Sequence, residues 1–248
     1  MHNIENALQG ASPAGTGGEE IVRCERLEKI YQDNKVPVVA LRGVDFSLSR
    51  GEFSVVAGPS GSGKTTLLNM LGALDRPTRG RVIFEGEDLA QKSRRELADL
   101  RLRKIGFVFQ AYNLIPVLTA LENIEFTMML SGVPERERRR RALALMEELG
   151  IAELADKRPG EMSGGQQQRV AVARAIINTP ALVLADEPTA NLDSETGARL
   201  LDLMAEMNQK KGITFLFSSH DPQVMARARR VILLRDGQIV EDRLQDSP

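Results

Sequence analysis

The sequence predicts an α/β fold with a mainly parallel core sheet and an inserted helical region, and three observations predict it. β-Rich segments separated by glycine-containing turns occur at 21–30, 44–48, 53–57 and 82–84. Apolar strand patterns return at 181–186, 214–218 and 231–234, alternating with helical patterns. Such alternation places parallel strands side by side, with helices on both faces of the sheet. Residues 93–178 follow a mostly helical period and predict an inserted helical region.

Length, charge and aromatic content limit the classes of protein to which this sequence can belong. The 248 residues suffice for one large domain with its own core, which we expect to span 21–245. Residues 1–20 are rich in Gly, Ala, Ser and Thr without a regular period, which predicts a flexible leader. The 33 basic and 34 acidic side chains give a net charge of -1, and 4% of residues are aromatic. Nucleic-acid binding is not expected, because this composition gives neither a basic field nor base-stacking platforms.

Apolar runs and cysteine content predict the compartment. No run approaches the ~18 apolar residues that a membrane-spanning helix needs, and the first residues hold no signal-type apolar block. The single cysteine, Cys24, cannot form an internal disulfide, which agrees with a reducing compartment. We therefore expect a cytosolic location and a packing role for the Cys24 side chain.

A glycine-rich segment between an apolar strand and a helical pattern satisfies the G-x-x-x-x-G-K-[ST] pattern. Glycines let backbone N–H groups surround a triphosphate, and the following helix adds the positive end of its dipole. Lys64 would place its charge beside the β- and γ-phosphates, and the Thr65 hydroxyl would bind Mg²⁺. The alternative, a turn with a solvated lysine, is disfavoured by two further phosphate-chemistry motifs downstream. The predicted binding residues are Gly58, Pro59, Ser60, Gly61, Ser62, Gly63, Lys64, Thr65 and Thr66.

Two adjacent acids, Asp186 and Glu187, follow the apolar run 182–185. Successive side chains of a strand point to opposite sides, so the two acids should have different tasks. Asp186 is expected to bind the metal through its coordinated water, and Glu187 to polarise the attacking water as a general base. The alternative is a pair of solvated acids at a strand end, which the phosphate loop makes the weaker interpretation.

One of the two histidines is also a candidate. His220 follows the predicted strand 214–218, whereas His2 lies in the predicted leader. A lone histidine is usually structural. At a strand end beside the acid pair, however, His220 is suited to hydrogen-bond the γ-phosphate and hold the geometry of the water.

The run Met162-Ser163-Gly164-Gly165-Gln166-Gln167-Gln168-Arg169 resembles the signature of the ATP-binding-cassette (ABC) family. It opens a predicted helix and offers a hydroxyl, backbone donors and a dipole to a γ-phosphate, through Ser163, Gly164, Gly165 and Gln166. The resemblance covers 21–242. It implies the phosphate-loop ABC nucleotide-binding fold, with an antiparallel β subdomain and an inserted helical subdomain. It also implies a head-to-tail homodimer that holds two ATP molecules, each between one copy's Lys64 loop and the other copy's signature.

The resemblance implies roles for three further positions. Tyr31 corresponds to the aromatic residue that stacks on adenine, although a plain core or surface tyrosine is the alternative. Gln110 corresponds to the glutamine that senses Mg²⁺ and the γ-phosphate. Asp193 ends the run Ala190-Asn191-Leu192-Asp193, which corresponds to the loop that contacts the second copy. The implied cofactors are ATP and Mg²⁺, and the implied activity is hydrolysis of ATP to ADP and phosphate.

Residues 58–64, 106–110, 118–123 and 185–194 are most similar to the family's lipoprotein-release (LolD) and macrolide-efflux (MacB) branch. Ala190 replaces that branch's usual glycine, and Ser218-Ser219-His220 replaces its common Val-Thr-His. The branch implies a peripheral ATPase on the cytoplasmic side of the inner membrane. It would drive a separate integral-membrane permease, LolC/LolE-like or MacB-like, in lipoprotein extraction or efflux. The alternative is a regulatory ATPase of the cell-division (FtsE-like) type; soluble ABC ATPases of DNA repair or translation fit less well.

Two surface segments complete the predictions. Residues 111–118 are apolar without an amphipathic period. The resemblance implies that they form a groove for a short cytoplasmic helix of the permease, with core packing as the alternative. In the charged run 135–141, the i,i+4 spacing of Glu135 with Arg139, and of Glu137 with Arg141, predicts a solvated, ion-paired helix face.

Overall fold

The computed structural model describes residues 18–33 and 36–245. Most of the leader predicted at 1–20 therefore lies outside the described residues. The strands are β1 (Glu20–Asp33), β2 (Val36–Ser49), β3 (Phe53–Ala57), β4 (Arg79–Phe84), β5 (Glu87–Asp88), β6 (Ile105–Val108), β7 (Leu182–Asp186), β8 (Thr214–Ser219), β9 (Arg230–Arg235) and β10 (Gln238–Leu244). The α-helices are α1 (Lys64–Leu71), α2 (Arg94–Lys104), α3 (Ala120–Leu130), α4 (Glu135–Glu148), α5 (Gly164–Ile176), α6 (Ser194–Lys211) and α7 (Pro222–Arg227).

The core sheet has six strands in the order β10-β9-β3-β8-β7-β6. Its pairings are parallel except that β10 runs antiparallel to β9. All five residues of β3 and all six of β8 are buried, as expected for strands covered on both faces. The predicted mainly parallel sheet is confirmed, and its carboxyl edge gathers the ends of β3, β7 and β8.

A separate antiparallel sheet, in the order β2-β1-β4-β5, covers one side of the core sheet. Alternate residues of the buried strands divide between two apolar clusters, because side chains alternate across a sheet. Val56 and Leu184 join a cluster with α1 and the antiparallel sheet. Val55 and Phe215 join a cluster with helices α3 to α6 on the opposite face.

The span predicted as helical, 93–178, contains one strand of the core sheet. β6 runs parallel to β7 in the register Ile105 with Leu182, so this part of the chain returns to the sheet before α3 begins. A strand of four residues is too short for its periodicity to separate it from a helical segment. Strand β6 therefore leads to Gln110 at the edge of the core sheet, and helices α3 and α4 come after it in the chain.

The charged face of α4 differs in detail from the prediction. Glu135 pairs with Arg138 at 4.0 Å and Glu137 with Arg140 at 2.7 Å, so the pairs are i,i+3 rather than i,i+4. The Arg141 guanidinium instead donates to the backbone oxygen of Ile177 at 2.9 Å. Neighbours three and four residues apart both share a helix face, so spacing alone does not choose between them.

Two further expectations concern burial and membrane spans. Cys24 is buried in the described fold, and its desolvation raises the thiol pKa to about 12. The packing role predicted for this side chain is confirmed. Among the described residues, no helix combines the length and the apolar character that crossing a bilayer requires.

Candidate active site

The glycine-rich loop joins the end of β3 to the start of α1, as predicted. Gly58 and Gly63 have φ values of 154° and 104°, in the region that favours glycine. A Cβ at Gly58 would lie 2.1 Å from the backbone oxygen of Leu234, and one at Gly63 would lie 2.5 Å from that of Ala40. These glycines therefore allow both the left-handed turns and the close approach of neighbouring backbone.

Lys64, the first residue of α1, folds its side chain back over this loop. Its Nζ donates to the backbone oxygens of Gly58 at 2.8 Å and Pro59 at 3.1 Å. The same Nζ lies 3.7 Å from Oε1 of Glu187, and the Lys64 side chain is only 7% exposed. The ammonium group thus lies between the phosphate loop and the acid at the end of β7.

Asp186 lies directly against the first turn of α1. The Thr65 hydroxyl is 3.0 Å from each of its carboxylate oxygens. Asp186 pairs with Ser218 in the register of β7 and β8, and the Ser218 hydroxyl also donates to its Oδ1. Mg²⁺ prefers oxygen ligands such as hydroxyl and carboxylate groups, so the side chains of Thr65 and Asp186 fit that ion.

Glu187 turns away from the strand with φ 44°, a left-handed conformation that is uncommon outside glycine. Its backbone N–H donates to the oxygen of Ser218 at 2.9 Å. Its carboxylate lies 2.9 Å from Nδ1 of His220 and accepts from the Ser219 hydroxyl at 3.2 Å. The two acids thus face different partners, as the strand geometry predicts.

Most of the predicted site residues line a cleft of about 530 Å³. Gln110 enters it from the loop after β6, and three residues of β2 form one wall. The predicted residues Gly58, Ser62 and Asp186 belong to the same region but do not line the open space. The lining residues are Val38, Val39, Ala40, Pro59, Ser60, Gly61, Gly63, Lys64, Thr65, Thr66, Gln110, Glu187, Ala190 and His220.

Tyr31 lies beside this cleft rather than in its lining. It pairs with Val38 across β1 and β2, and Val38 does line the cleft. The Tyr31 hydroxyl donates to Oδ2 of Asp75 at 3.1 Å, and Nζ of Lys29 is 4.8 Å from the ring centroid. Burial alone would raise the pKa of Asp75, but hydrogen bonds from Lys29, the Arg76 backbone and Tyr31 outweigh it, and the pKa is lowered.

The signature residues stand at the exposed N-terminus of α5, outside the cleft lining. Ser163 caps the helix: its hydroxyl accepts from the Gln166 backbone N–H at 3.3 Å, and Oε1 of Gln166 accepts from the Ser163 N–H at 2.9 Å. Asp193 similarly caps α6 through the Thr196 N–H at 2.9 Å, which lowers the pKa of its carboxyl. The predicted residues therefore form two separate groups on one chain.

Comparison with known proteins identifies the family. The sequence profile described as ABC transporter matches residues 41–190. The chain belongs to the ABC transporter family. It is therefore an ABC ATP-binding protein, and the predicted cassette fold and ATPase activity are confirmed.

Individual relatives agree with this ABC assignment. An uncharacterized ABC transporter ATP-binding protein of Thermotoga maritima is 50% identical over 85% of this chain and 90% of its own length. The macrolide export ATP-binding/permease protein MacB of Brucella melitensis is 46% identical over 91% of this chain. The chain spans only 35% of that longer relative. A solved ATP-binding cassette, described as a dimer in a post-hydrolysis state with ADP and Pi, matches with a TM-score of 0.85 and 39% identity, over 92% of this chain and all of the other.

The two glycines of the ABC signature have contacts within their own chain. A Cβ at Gly164 would lie 2.7 Å from the Tyr112 hydroxyl, and one at Gly165 would lie 2.4 Å from Cγ2 of Thr196. The start of α5 therefore packs between the loop after β6 and the start of α6. Larger residues at either glycine would push the signature away from these neighbours.

Sequence reasoning missed four polar residues that organise this ABC site. Ser218 and Ser219 hold the two acids, and their position before His220 on the strand next to β7 was an available signal. Gln168 and Arg174 lie on α5, where each is polar beside buried neighbours. Arg174 donates to the backbone oxygens of Tyr112 at 2.9 Å and Asn113 at 2.5 Å, and burial lowers its pKa.

Proposed function

We propose that this ABC protein is the ATP-driven motor of an export machine and works as a homodimer with a membrane-spanning permease. The relative MacB combines an ATP-binding part and a permease under a name that denotes macrolide export, and this chain corresponds to about a third of it. Lipoprotein extraction is the related possibility within the same branch. The work would be done at the cytoplasmic face of the inner membrane.

The observation that carries the homodimer is the separation of the two predicted phosphate-binding groups. Within the described residues, the cleft contains the phosphate loop, whereas Ser163 is exposed and absent from the cleft lining. A helix N-terminus with a serine cap and two glycines is suited to bind an anion. A second copy, placed head to tail, would bring Ser163, Gly164 and Gly165 to the γ-phosphate in the first copy's cleft.

Three oxygen-bearing side chains would hold Mg²⁺ in this site: Thr65, Asp186 and Gln110. Thr65 and Asp186 already meet at 3.0 Å, and Gln110 lines the same cleft. When bound, the ion would neutralise charge on the β- and γ-phosphates.

The remaining site residues act on ATP and water. Lys64 would place its charge against the β- and γ-phosphates, with the loop amides around them. Glu187 would accept the proton of the attacking water through its carboxylate, and His220, 2.9 Å from that carboxylate, would hold the water and the γ-phosphate in line. Tyr31 would contact the adenine, and Asp193 would support the loop at the dimer contact.

A second cavity, of about 310 Å³, is the proposed permease site. It lies between α2, β6, α3 and α5, and its lining combines apolar side chains with the polar residues Arg101, Thr127, Arg174 and Asn178. Asn113, from the predicted groove 111–118, reaches it as well. A short amphipathic helix of the permease fits a groove of this kind. The loop that carries Gln110 would then transmit conformational changes between the ATP site and the permease.

Reconstitution with candidate permeases tests this function. Leu74 lines the second cavity and is 46% exposed, so Leu74→Glu should remove stimulation of ATPase activity by the permease while basal activity remains. Leu244→Glu is the matched control, because Leu244 is 53% exposed and does not line that cavity. Equal stimulation of both variants would contradict the proposed docking site. Stimulated ATPase activity without movement of any cargo in sealed vesicles would favour the regulatory alternative.

A further inference from the structure

Gln168 is a fully buried polar residue in the second turn of α5. Its Nε2 donates to the backbone oxygen of Pro188 at 2.8 Å and lies 3.5 Å from that of Phe109. One amide group on the signature helix therefore contacts two loops that follow different strands of the core sheet.

These two carbonyls belong to the immediate neighbours of proposed catalytic residues. Phe109 precedes Gln110, and Pro188 follows Glu187. Glu187 has φ 44°, and a non-glycine residue keeps such a conformation only where its surroundings enforce it. The hydrogen bond from Gln168 to the Pro188 carbonyl helps to hold Glu187 in this conformation. The hydrogen bond from the Glu187 N–H to the Ser218 oxygen does so as well.

Packing alone does not explain an amide at this position. The Oε1 atom of Gln168 is buried and has no hydrogen-bond partner among the described residues. A buried, unpaired amide oxygen is destabilising, and an apolar side chain of the same shape would fill the space without that cost. The donor on Nε2 is therefore the feature that distinguishes glutamine from an apolar residue here.

We propose that Gln168 is a positioning residue for ATP hydrolysis. By holding the carbonyls of Phe109 and Pro188, it fixes the distance between Gln110 and Glu187 and ties both to the helix that begins after Ser163. This inference rests on the roles proposed above for Gln110 and Glu187. It predicts that loss of the amide slows the chemical step without weakening ATP binding, because Gln168 lies outside the cleft lining.

The first test is Gln168→Met in the full chain, which keeps volume and burial but removes the donor. We expect kcat to fall by about 10- to 100-fold, as for other groups that orient site residues, with the KM for ATP nearly unchanged. The melting temperature should fall only moderately, because removal of the unpaired oxygen partly offsets the loss of a donor to the two carbonyls. An unchanged kcat would overturn the proposal.

The second test is Gln168→Glu, which presents a carboxyl to the same two carbonyls. Burial favours its neutral form, which can donate one hydrogen bond. We expect its kcat, relative to the original chain, to rise as pH falls from 8 to 6. A ratio that stays flat across this range would overturn the proposal, and this test remains available should Gln168→Met fail to fold.

Asn208 provides a matched control at the opposite edge of the sheet. Its buried Nδ2 donates to the backbone oxygens of Gly51 at 3.0 Å and Ile213 at 2.7 Å, and Asn208 does not line the cleft. Asn208→Leu should lower the melting temperature and leave kcat per folded protein unchanged. The proposal fails if Gln168→Met behaves in the same way.

Glu187→Gln in the same series separates this inference from the proposed function. Turnover in Glu187→Gln would contradict the assigned base whatever Gln168→Met does. Loss of turnover in Glu187→Gln together with normal kcat in Gln168→Met would overturn only the positioning role.

Discussion

The Thr65 hydroxyl lies 3.0 Å from both carboxylate oxygens of Asp186, although 121 positions separate the two residues in the chain. This contact joins the first turn of α1 to the end of β7. It also places two oxygen donors side by side at the edge of the cleft, where Mg²⁺ is proposed to bind.

Ser218 should influence the affinity of the Asp186 site for Mg²⁺. Its hydroxyl donates to Oδ1 of Asp186 and so fixes the orientation of the carboxylate. We expect Ser218→Ala to raise the Mg²⁺ concentration for half-maximal ATPase activity by about 10-fold, because groups that orient a metal ligand affect affinity on this scale. Steady-state phosphate release across a Mg²⁺ titration measures it. Ser131→Ala removes a hydroxyl that, within the described part of the chain, bonds to the α3 backbone and Asn178, and it should leave the titration unchanged.

Lys64→Ala should abolish hydrolysis and strongly weaken ATP binding. The ammonium group is the positive charge placed against the phosphate loop, and its loss leaves the β- and γ-phosphates without that partner. Binding of a fluorescent ATP analogue and phosphate release measure the two effects. Lys210→Ala, at an exposed pair with Glu206, is the control. Normal turnover in Lys64→Ala would rule out the assigned phosphate site.

Glu187→Gln should bind ATP but hydrolyse it at least about 100-fold more slowly, since general-base catalysis contributes on that scale. If hydrolysis of ATP separates the two copies of the proposed dimer, the stalled variant should accumulate as a nucleotide-bound dimer. Size-exclusion chromatography with ATP and Mg²⁺ shows this directly. A variant that still cycles, or one that stays monomeric with ATP bound, would remove Glu187 from the proposed role.

Mixed subunits test whether each site is shared between two copies. Ser163→Arg and Lys64→Ala chains should each be inactive alone, but a heterodimer of the two retains one site with both halves intact. Random mixing should restore about a quarter of the original number of sites, because half of the dimers are heterodimers. ATPase assays of the mixture measure this recovery. Activity equal to zero, or two active sites in a purified heterodimer, would contradict sharing.

Cys24 should make stability depend on pH in the alkaline range. Burial raises its pKa from 9.0 to about 12, so the folded state keeps a proton that the unfolded chain releases. The stabilising contribution is fully present below pH 9 and is lost as pH rises towards 12. Free energies of unfolding measured across this range should fall more steeply for the original chain than for Cys24→Ala. Parallel slopes would show that the thiol is not protected by the fold.

The sequence predicted the parts of the site whose backbone geometry is encoded locally. The Gly58 to Thr65 loop and the acids Asp186 and Glu187 end strands with recognisable apolar patterns, so their meeting at one sheet edge follows from parallel topology. Residues that act through tertiary contacts were not predictable in the same way. Gln168 and Arg174 contact loops that lie up to 62 positions away in the sequence, and no local sequence pattern predicts those contacts. The same limit applies to β6, whose strand character depends on its partner β7.

The exposed position of Ser163 has a consequence for how ATP consumption is controlled. If a cleft is complete only when two copies meet, hydrolysis by dilute protein should increase with the square of its concentration rather than linearly. A permease that binds two copies would raise their effective local concentration to the millimolar range. ATP hydrolysis would then be confined to assembled complexes, and free subunits would consume little ATP.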